Sequence, residues 1–275
     1  MVPGEGGGGT AVSRVAVVTG AGRGIGAATA AALAAAGWLV LAVDRADEDP
    51  RLTYPLATPG ELEAVAAAAN ERAGEERMRT ALADATDPWA MRAAIARAEE
   101  WGELEGVVAN AGVIAGGVPA WELPLEQERA VLDVCLGGVL TTARAGVPAL
   151  LSRPEPRRAS FVAVASAAGL RGLPGLAAYC AAKAGVAGFV RALAADLRGT
   201  GITANAVAPG STDTPILAES ARLYGLDGAS HFTEHALIER LIDPAEVAAL
   251  IVYLLGPGGA ALTGATLPVD GGLSV

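Results

Sequence analysis

The sequence predicts an α/β protein built on one doubly wound parallel sheet with helices on both faces. Three observations carry that prediction. Short apolar runs alternate with helix-length stretches from about residue 14 to the end. The runs are unbroken rather than polar/apolar alternations, which is how strands buried on both faces read. A glycine-rich loop, Thr19-Gly20-Ala21-Gly22-Arg23-Gly24-Ile25-Gly26, joins the first run to the first helical stretch. With 275 residues, 52% of them hydrophobic, the chain can bury one large core, and no composition break or internal repeat marks a second domain.

In order, Met1 to Ser13 is Gly-rich and aperiodic, and is expected to form a flexible tail ahead of a domain over residues 14–275. Strands are expected over Val15 to Thr19, Leu39 to Val43, Val107 to Ala109 with the residues just before it, Phe161 to Ala165, and Thr203 to Ala208. Between them, Ile25 to Ala36, Pro88 to Glu100, Glu126 to Leu151 and Ala177 to Leu197 read as helices. Ala46 to Gly60 is more chain than a helix of about 12 residues and two loops of about 2–6 require between Asp44 and Asp84, and is read as an insertion. Ser211 to Arg240 reads as a mobile lid, with Leu217, Leu223, Tyr224, Phe232 and Leu237 available to close over an apolar ligand or to serve as core. Val113, Ile114, Trp121, Leu173 and Pro174 are expected at the same end of the sheet.

Charge and composition exclude several functions. A net charge of −10 argues against nucleic acid, whose phosphates need clustered Lys and Arg; Arg153, Arg157 and Arg158 form the only basic cluster and read as a solvated loop. No stretch approaches the roughly 20 uncharged apolar residues of a membrane span, and the N-terminus has no charged region followed by an apolar one, so a cytoplasmic location is expected. Two cysteines, Cys135 and Cys180, fit a reduced compartment. His231 and His235 lie at helical spacing without a third ligand, so no metal site is expected.

The glycine loop sits where a strand hands over to a helix. Gly20, Gly24 and Gly26 let the backbone turn tightly, approach a pyrophosphate and pack the helix on the sheet, while the helix N-terminus faces the phosphates. Asp44 ends the second strand eighteen residues after Gly26, where a carboxylate can accept from both hydroxyls of an adenosine ribose and repel a 2′-phosphate. Tyr179 and Lys183, four residues apart, share one helix face, with Ser166 thirteen residues upstream at a strand end. A phenol with a pKa near 10 needs a shift of about 3 units, or ~4 kcal/mol, to exchange a proton with an alcohol near neutrality. One positive charge about 4 Å away supplies roughly that at an effective dielectric of 20. In that reading Tyr179 is the general acid/base, Lys183 and an oxidised nicotinamide supply positive charge, and Ser166 orients the substrate oxygen.

These motifs, in this order, resemble the short-chain dehydrogenase/reductase family from about Val15 to Val275, including Val164-Ala165-Ser166-Ala167-Ala168-Gly169 and Tyr179-Cys180-Ala181-Ala182-Lys183. The resemblance implies a Rossmann fold and NAD as cofactor. Arg23 and Arg45 stand where NADP-dependent relatives hold a 2′-phosphate, so NADP is the less favoured alternative. It also implies adenine contacts at Asp84 and Ala85, a cofactor wall at Asn110-Ala111-Gly112, and a nicotinamide-facing segment at Pro209, Gly210, Thr212 and Thr214, with Ile25 in the glycine loop. Asp84 and Asn110 could equally cap a helix or shape a turn. Lys183 would also hold the nicotinamide ribose. Homotetramers are usual in the family.

Two departures stand out. Cys135, in Asp133-Val134-Cys135-Leu136, occupies the place of the family's usual asparagine, whose position supports a water linking the lysine to solvent. A thiol keeps the backbone carbonyl but not the side-chain amide, which predicts a modified proton relay; inert packing is the alternative. The insertion, with Tyr54-Pro55-Leu56-Ala57-Thr58-Pro59, resembles the mycofactocin-coupled subfamily, which implies a tightly held NAD reoxidised by mycofactocin. Three readings follow: an NAD-dependent dehydrogenase or ketone reductase for an apolar alcohol or carbonyl substrate with mycofactocin as acceptor; an ordinary member exchanging NAD(P); and a non-catalytic dinucleotide-binding protein.

Overall fold

The computed structural model describes residues 13–275; residues 1–12, most of the expected tail, lie outside the described residues. Seven parallel strands form one sheet: β1 (Arg14–Thr19), β2 (Leu39–Asp44), β3 (Met78–Leu82), β4 (Glu103–Ala109), β5 (Ala159–Val164), β6 (Ile202–Pro209) and β7 (Thr266–Val269). Their spatial order is β3-β2-β1-β4-β5-β6-β7, so the chain winds outward from β1 to one edge and returns beside β1 to wind to the other. That reversal opens a crevice at the carboxyl ends of β1 and β4, where doubly wound sheets bind ligands.

The unbroken apolar runs have a simple cause, since alternate residues serve two cores. Val15 and Val17 of β1 point to one face, where they join Phe161 of β5 and side chains of α3 (Pro88–Glu99), α5 (Gly138–Leu151) and α6 (Ala177–Asp196). Ala16 and Val18 point to the other, with Leu33 of α1 (Gly24–Ala35), Leu62 of α2 (Pro59–Ala73), and Ile251 and Leu254 of α8 (Pro244–Leu255). Helix starts follow capping chemistry: Thr58 with Glu61, and Asp243 with Glu246, form reciprocal capping boxes. Asp87 caps α3, and Thr214 caps α7 (Pro215–Leu223).

β3 and β7 were not among the apolar runs. Both are edge strands: Arg79 and Leu82 of β3 are exposed, and β7 is four residues long with an exposed Pro268. The helix expected over Glu126 to Leu151 is interrupted. α4 (Leu125–Leu132) passes through a π-helical turn at Asp133–Gly137 before α5 begins. By length and composition the run Leu125–Leu151 could cross a membrane, which the charge-based reading did not register; 61% of its most apolar window is buried inside the protein. The expected insertion is shorter than its sequence bounds, because Pro59 and Gly60 already belong to α2.

Phe161 has no exposed surface and belongs to the larger core. Phe161→Ala is expected to cost about 3–5 kcal/mol, read as a lower denaturant midpoint with an unchanged m-value.

Candidate active site

A cavity of about 680 Å³ lies over the carboxyl ends of the strands. Of the residues singled out from sequence, Gly20, Arg23, Gly24, Ile25, Asp44, Arg45, Asp84, Ala85, Asn110, Ala111, Gly112, Ser166, Tyr179, Lys183, Pro209, Gly210, Thr212 and Thr214 all line it. Gly26 and Cys135 do not: each stands one layer behind the wall.

The glycine loop is set by close backbone approach. A Cβ on Gly26 would lie 1.9 Å from the Gly20 carbonyl oxygen, and one on Gly20, which has φ +66°, would lie 2.7 Å from Ala111 Cα. Asn110 closes the seam: its Nδ2 donates to the Thr19 and Gly20 carbonyls at 3.0 and 3.1 Å, and Thr19 Oγ1 accepts from the Asn110 and Ala111 amides. Asn110 therefore shapes the loop while facing the cavity. Arg23, at the N-cap of α1, makes no side-chain cap, so amides of the first helical turn stay available to an anion.

Asp44 is held by two amides, Gly22 to Oδ2 at 2.9 Å and Ala46 to Oδ1 at 3.0 Å, leaving further lone pairs toward the cleft. Arg45 pairs with Asp49 at 3.3 Å and Asp84 at 3.6 Å and donates to the Glu48 carbonyl. Arg23 donates to the Pro55 carbonyl at 2.6 Å. Both arginines that could hold a 2′-phosphate are thus engaged by protein groups. Asp84 accepts from the Thr86 amide and hydroxyl, so it shapes its turn as well as facing the cavity. The space left by the glycines, the free helix amides and the anchored carboxylate together fit a nicotinamide dinucleotide.

At the other end, Ser166 follows β5, and its Oγ accepts from the Ala168 amide at 3.1 Å. Tyr179 and Lys183 project from the start of α6. Lys183 is 3% exposed; its Nζ donates to the Val164 carbonyl at 2.8 Å and lies 5.7 Å from the centre of the Tyr179 ring. Burial pushes the lysine below its ordinary range. It pushes the Tyr179 phenol up, more than the Ser166 hydrogen bond brings it down. Desolvation thus opposes the charged forms of both Tyr179 and Lys183, and it is against this that the positive charges expected from Lys183 and an oxidised nicotinamide would act.

Cys135, in the π turn, is fully buried. Its Sγ donates to the Val113 carbonyl at 3.0 Å and accepts from the Val113 amide at 3.3 Å, and burial raises the thiol further. It is a neutral thiol bracing the wall beside Lys183. On the nicotinamide-facing side, Thr212 Oγ1 donates to the Gly210 carbonyl, and Thr214 Oγ1 donates to the Thr212 carbonyl while capping α7.

Leu217, Tyr224 and Phe232 line the cavity, as do Val113, Ile114, Leu173 and Pro174. Leu223 does not, and Leu237 and Trp121 point to solvent, 73% and 84% exposed. Sequence reasoning did not single out Tyr54 as a site residue, although it lines the cavity and its hydroxyl accepts from the Ile114 amide at 2.9 Å. Its sequence signal was its place in the Tyr54-Pro55-Leu56-Ala57-Thr58-Pro59 stretch of the insertion, which pointed to the segment and not to the residue.

The family profile for enoyl-(acyl carrier protein) reductase matches residues 20–274. The short-chain reductase protein NovJ of Streptomyces niveus is 38% identical, with 94% of this chain and 93% of NovJ aligned. The crystal structure of carveol dehydrogenase from Mycobacterium avium in complex with NAD superposes with a TM-score of 0.88 at 30% identity, covering 96% of this chain and 99% of that one. That of F189W actinorhodin polyketide ketoreductase with NADPH gives 0.83 at 34%, covering 95% and 97%. With the parallel sheet, the glycine loop and the Ser166, Tyr179 and Lys183 arrangement in place, these matches show that the chain belongs to the short-chain dehydrogenase/reductase family.

Proposed function

We propose that the protein is an NAD-dependent dehydrogenase or ketone reductase for an apolar alcohol or carbonyl compound. The observation that carries this reading is that Ser166, Tyr179 and Lys183 open into the same cavity as the glycine loop and Asp44. NAD is favoured over NADP because Asp44 is anchored toward the cleft while Arg23 and Arg45 are engaged elsewhere. A bound nicotinamide ring accepts or gives the hydride and, when oxidised, brings a positive charge. In the oxidising direction Tyr179, as phenolate, takes the alcohol proton on its oxygen, and Ser166 holds the substrate oxygen by hydrogen bond. Lys183, fixed by the Val164 carbonyl, offsets negative charge on the phenolate. Leu173, Leu217 and Phe232 exclude water and select an apolar substrate body.

The finer reading is that NAD stays bound and is reoxidised by mycofactocin. Its support is the segment between β2 and α2, which crosses the cleft and is tied to three of its walls: Arg222 to Thr53, Ile114 to Tyr54, and Arg23 to Pro55. A cytoplasmic homotetramer is the assembly and location we propose with it. Exchange with free NAD(P) is the competing reading, kept open by the relative solved with NADPH.

Purified protein that is desalted and then denatured is expected to release close to one NAD per chain, identified by mass spectrometry; an empty protein that binds added NAD moves the assignment to an ordinary dehydrogenase. Tyr179→Phe is expected to lower single-turnover hydride transfer by about 10²–10⁴-fold while dinucleotide affinity holds, and parental transfer rates would remove Tyr179 from catalysis. Asp44→Ala is expected to weaken NAD binding about tenfold or more, as loss of hydrogen bonds to a charged group does, and to weaken NADP less; equal losses in paired titrations would overturn the preference.

A further inference from the structure

Three consecutive residues of the 45–58 segment are each tethered to a different wall of the cleft. Thr53 Oγ1 accepts from Arg222 Nη2 of α7 at 3.0 Å, and Arg222 is itself aligned by two hydrogen bonds to Glu219, which is only 7% exposed. Tyr54 Oη accepts from the Ile114 amide, beyond β4, at 2.9 Å. The Pro55 carbonyl accepts from Arg23 of the glycine loop at 2.6 Å. The flanking Leu52 and Leu56 pack against the wall that holds Val113 and Cys135, and Tyr54 itself lines the cavity.

The hydroxyl's chemistry is then constrained. A phenol oxygen that accepts one hydrogen bond still has its own proton to donate. Among the described residues no protein acceptor takes it, although the residue lines the cavity. Burial keeps Tyr54 well above its ordinary range, so it stays protonated and a donor across the accessible pH range. Tyr54 is half-buried and faces the cavity, so its proton is available to an acceptor on a ligand bound there. The acceptor-rich ligand that this cleft fits is the dinucleotide, with its ribose, pyrophosphate and carboxamide oxygens.

We propose that Tyr54 is a dinucleotide-binding residue whose hydroxyl, positioned by the Ile114 amide, donates a hydrogen bond to an oxygen of the bound nicotinamide dinucleotide from the side facing the glycine loop. The segment is then part of the binding site rather than a passive cover, and it contributes to cofactor retention. This rests on the dinucleotide reading above.

The test uses the full chain loaded with NADH, with release followed by loss of nicotinamide fluorescence on mixing with excess NAD. Tyr54→Phe keeps the ring and its packing but removes the donor, and release is expected to become roughly 3–10-fold faster, the range for one neutral hydrogen bond. Because that change also leaves the Ile114 amide without its acceptor, a second form guards against a folding defect. 3-Fluorotyrosine at position 54 keeps the shape and is a stronger donor, and is expected to slow release. Unchanged release in both forms overturns the proposal, as does a raised substrate KM with unchanged NADH release, which would place the hydroxyl against substrate. Failure of the parent chain to bind any dinucleotide would overturn the dinucleotide reading itself, a result distinct from Tyr54→Phe behaving like a parent that does bind.

Discussion

The cleft depends on how closely the backbone after β1 approaches the backbone after β4. Gly20 lies against Ala111 at a distance that no side chain could share, and the Asn110 amide spans the gap to the Thr19 and Gly20 carbonyls. That contact brings the N-terminus of α1 under the crevice and places Gly112, Val113 and Ile114 along the opposite wall. Every other site element is referred to it. Thr214 touches the loop from the far side, where a Cβ on Gly24 would lie 3.3 Å from its methyl, and Ala57 of the crossing segment packs so closely that Gly22 has no room for a Cβ. A parallel sheet whose strand order reverses at β1 and β4 creates the crevice, but it is these glycine contacts that give it a floor of amides rather than side chains.

Burial governs the chemistry at the other end. In a site closed by Leu173, Leu217 and Phe232, an ionised lysine and an ionised phenol are both disfavoured relative to water. The Val164 carbonyl partly compensates Lys183 by accepting a hydrogen bond from it at 2.8 Å. Nothing among the described protein groups compensates Tyr179 to a similar degree, since the Ser166 hydrogen bond is outweighed by desolvation. The phenol therefore stays protonated in the protein alone, and in the proposed reaction the positive charge of an oxidised nicotinamide would favour its phenolate. Cys135 is consistent with this economy of charge: a neutral thiol satisfies both backbone groups of Val113 without adding a further charge near Lys183.

Much of this was legible in the sequence because the constraints are local. Two-sided burial writes unbroken apolar runs, so the five interior strands could be placed, whereas β3 and β7 at the edges carry exposed residues and no such run. Helix starts were legible where a cap stood next to proline, as at Asp87-Pro88. The π turn was not, because its cause is tertiary: the turn sits where the Cys135 thiol meets the Val113 backbone, and nothing in a helical pattern encodes a partner twenty-two residues away. The glycine-loop and Tyr-Lys motifs located the site because they are local, while the Tyr54-Pro55-Leu56-Ala57-Thr58-Pro59 stretch marked the insertion without showing that Tyr54 faces the cleft. Trp121 was expected at the pocket end of the sheet, and Leu237 over an apolar ligand or in the core; side-chain direction, which neither loop position nor hydrophobicity reports, turns both outward.

The segment between β2 and α2 shows how a loop of this length becomes part of a site. Left free, its closure over the cleft would be opposed by the conformational entropy of every residue it orders, about 1–2 kcal/mol each. The structure offsets that cost at both ends and in the middle. At the start, Asp49 is nearly fully buried and receives Arg45 and Arg51, with Arg51 reaching on to Asp133 of the π turn at 2.8 Å. Hydrogen bonds from Arg51 hold the Asp49 carboxyl down to about 2. With the folded value depressed, this stabilisation is complete above the ordinary carboxylate pKa and is lost only as pH falls through about 2. At the end, the Thr58 and Glu61 capping box hands the segment into α2. Between them the three tethers at Thr53, Tyr54 and Pro55 lie on separate walls, so lifting any one residue strains the bonds of its neighbours. Lifting the segment away must therefore break contacts to α7, the β4 wall and the glycine loop together.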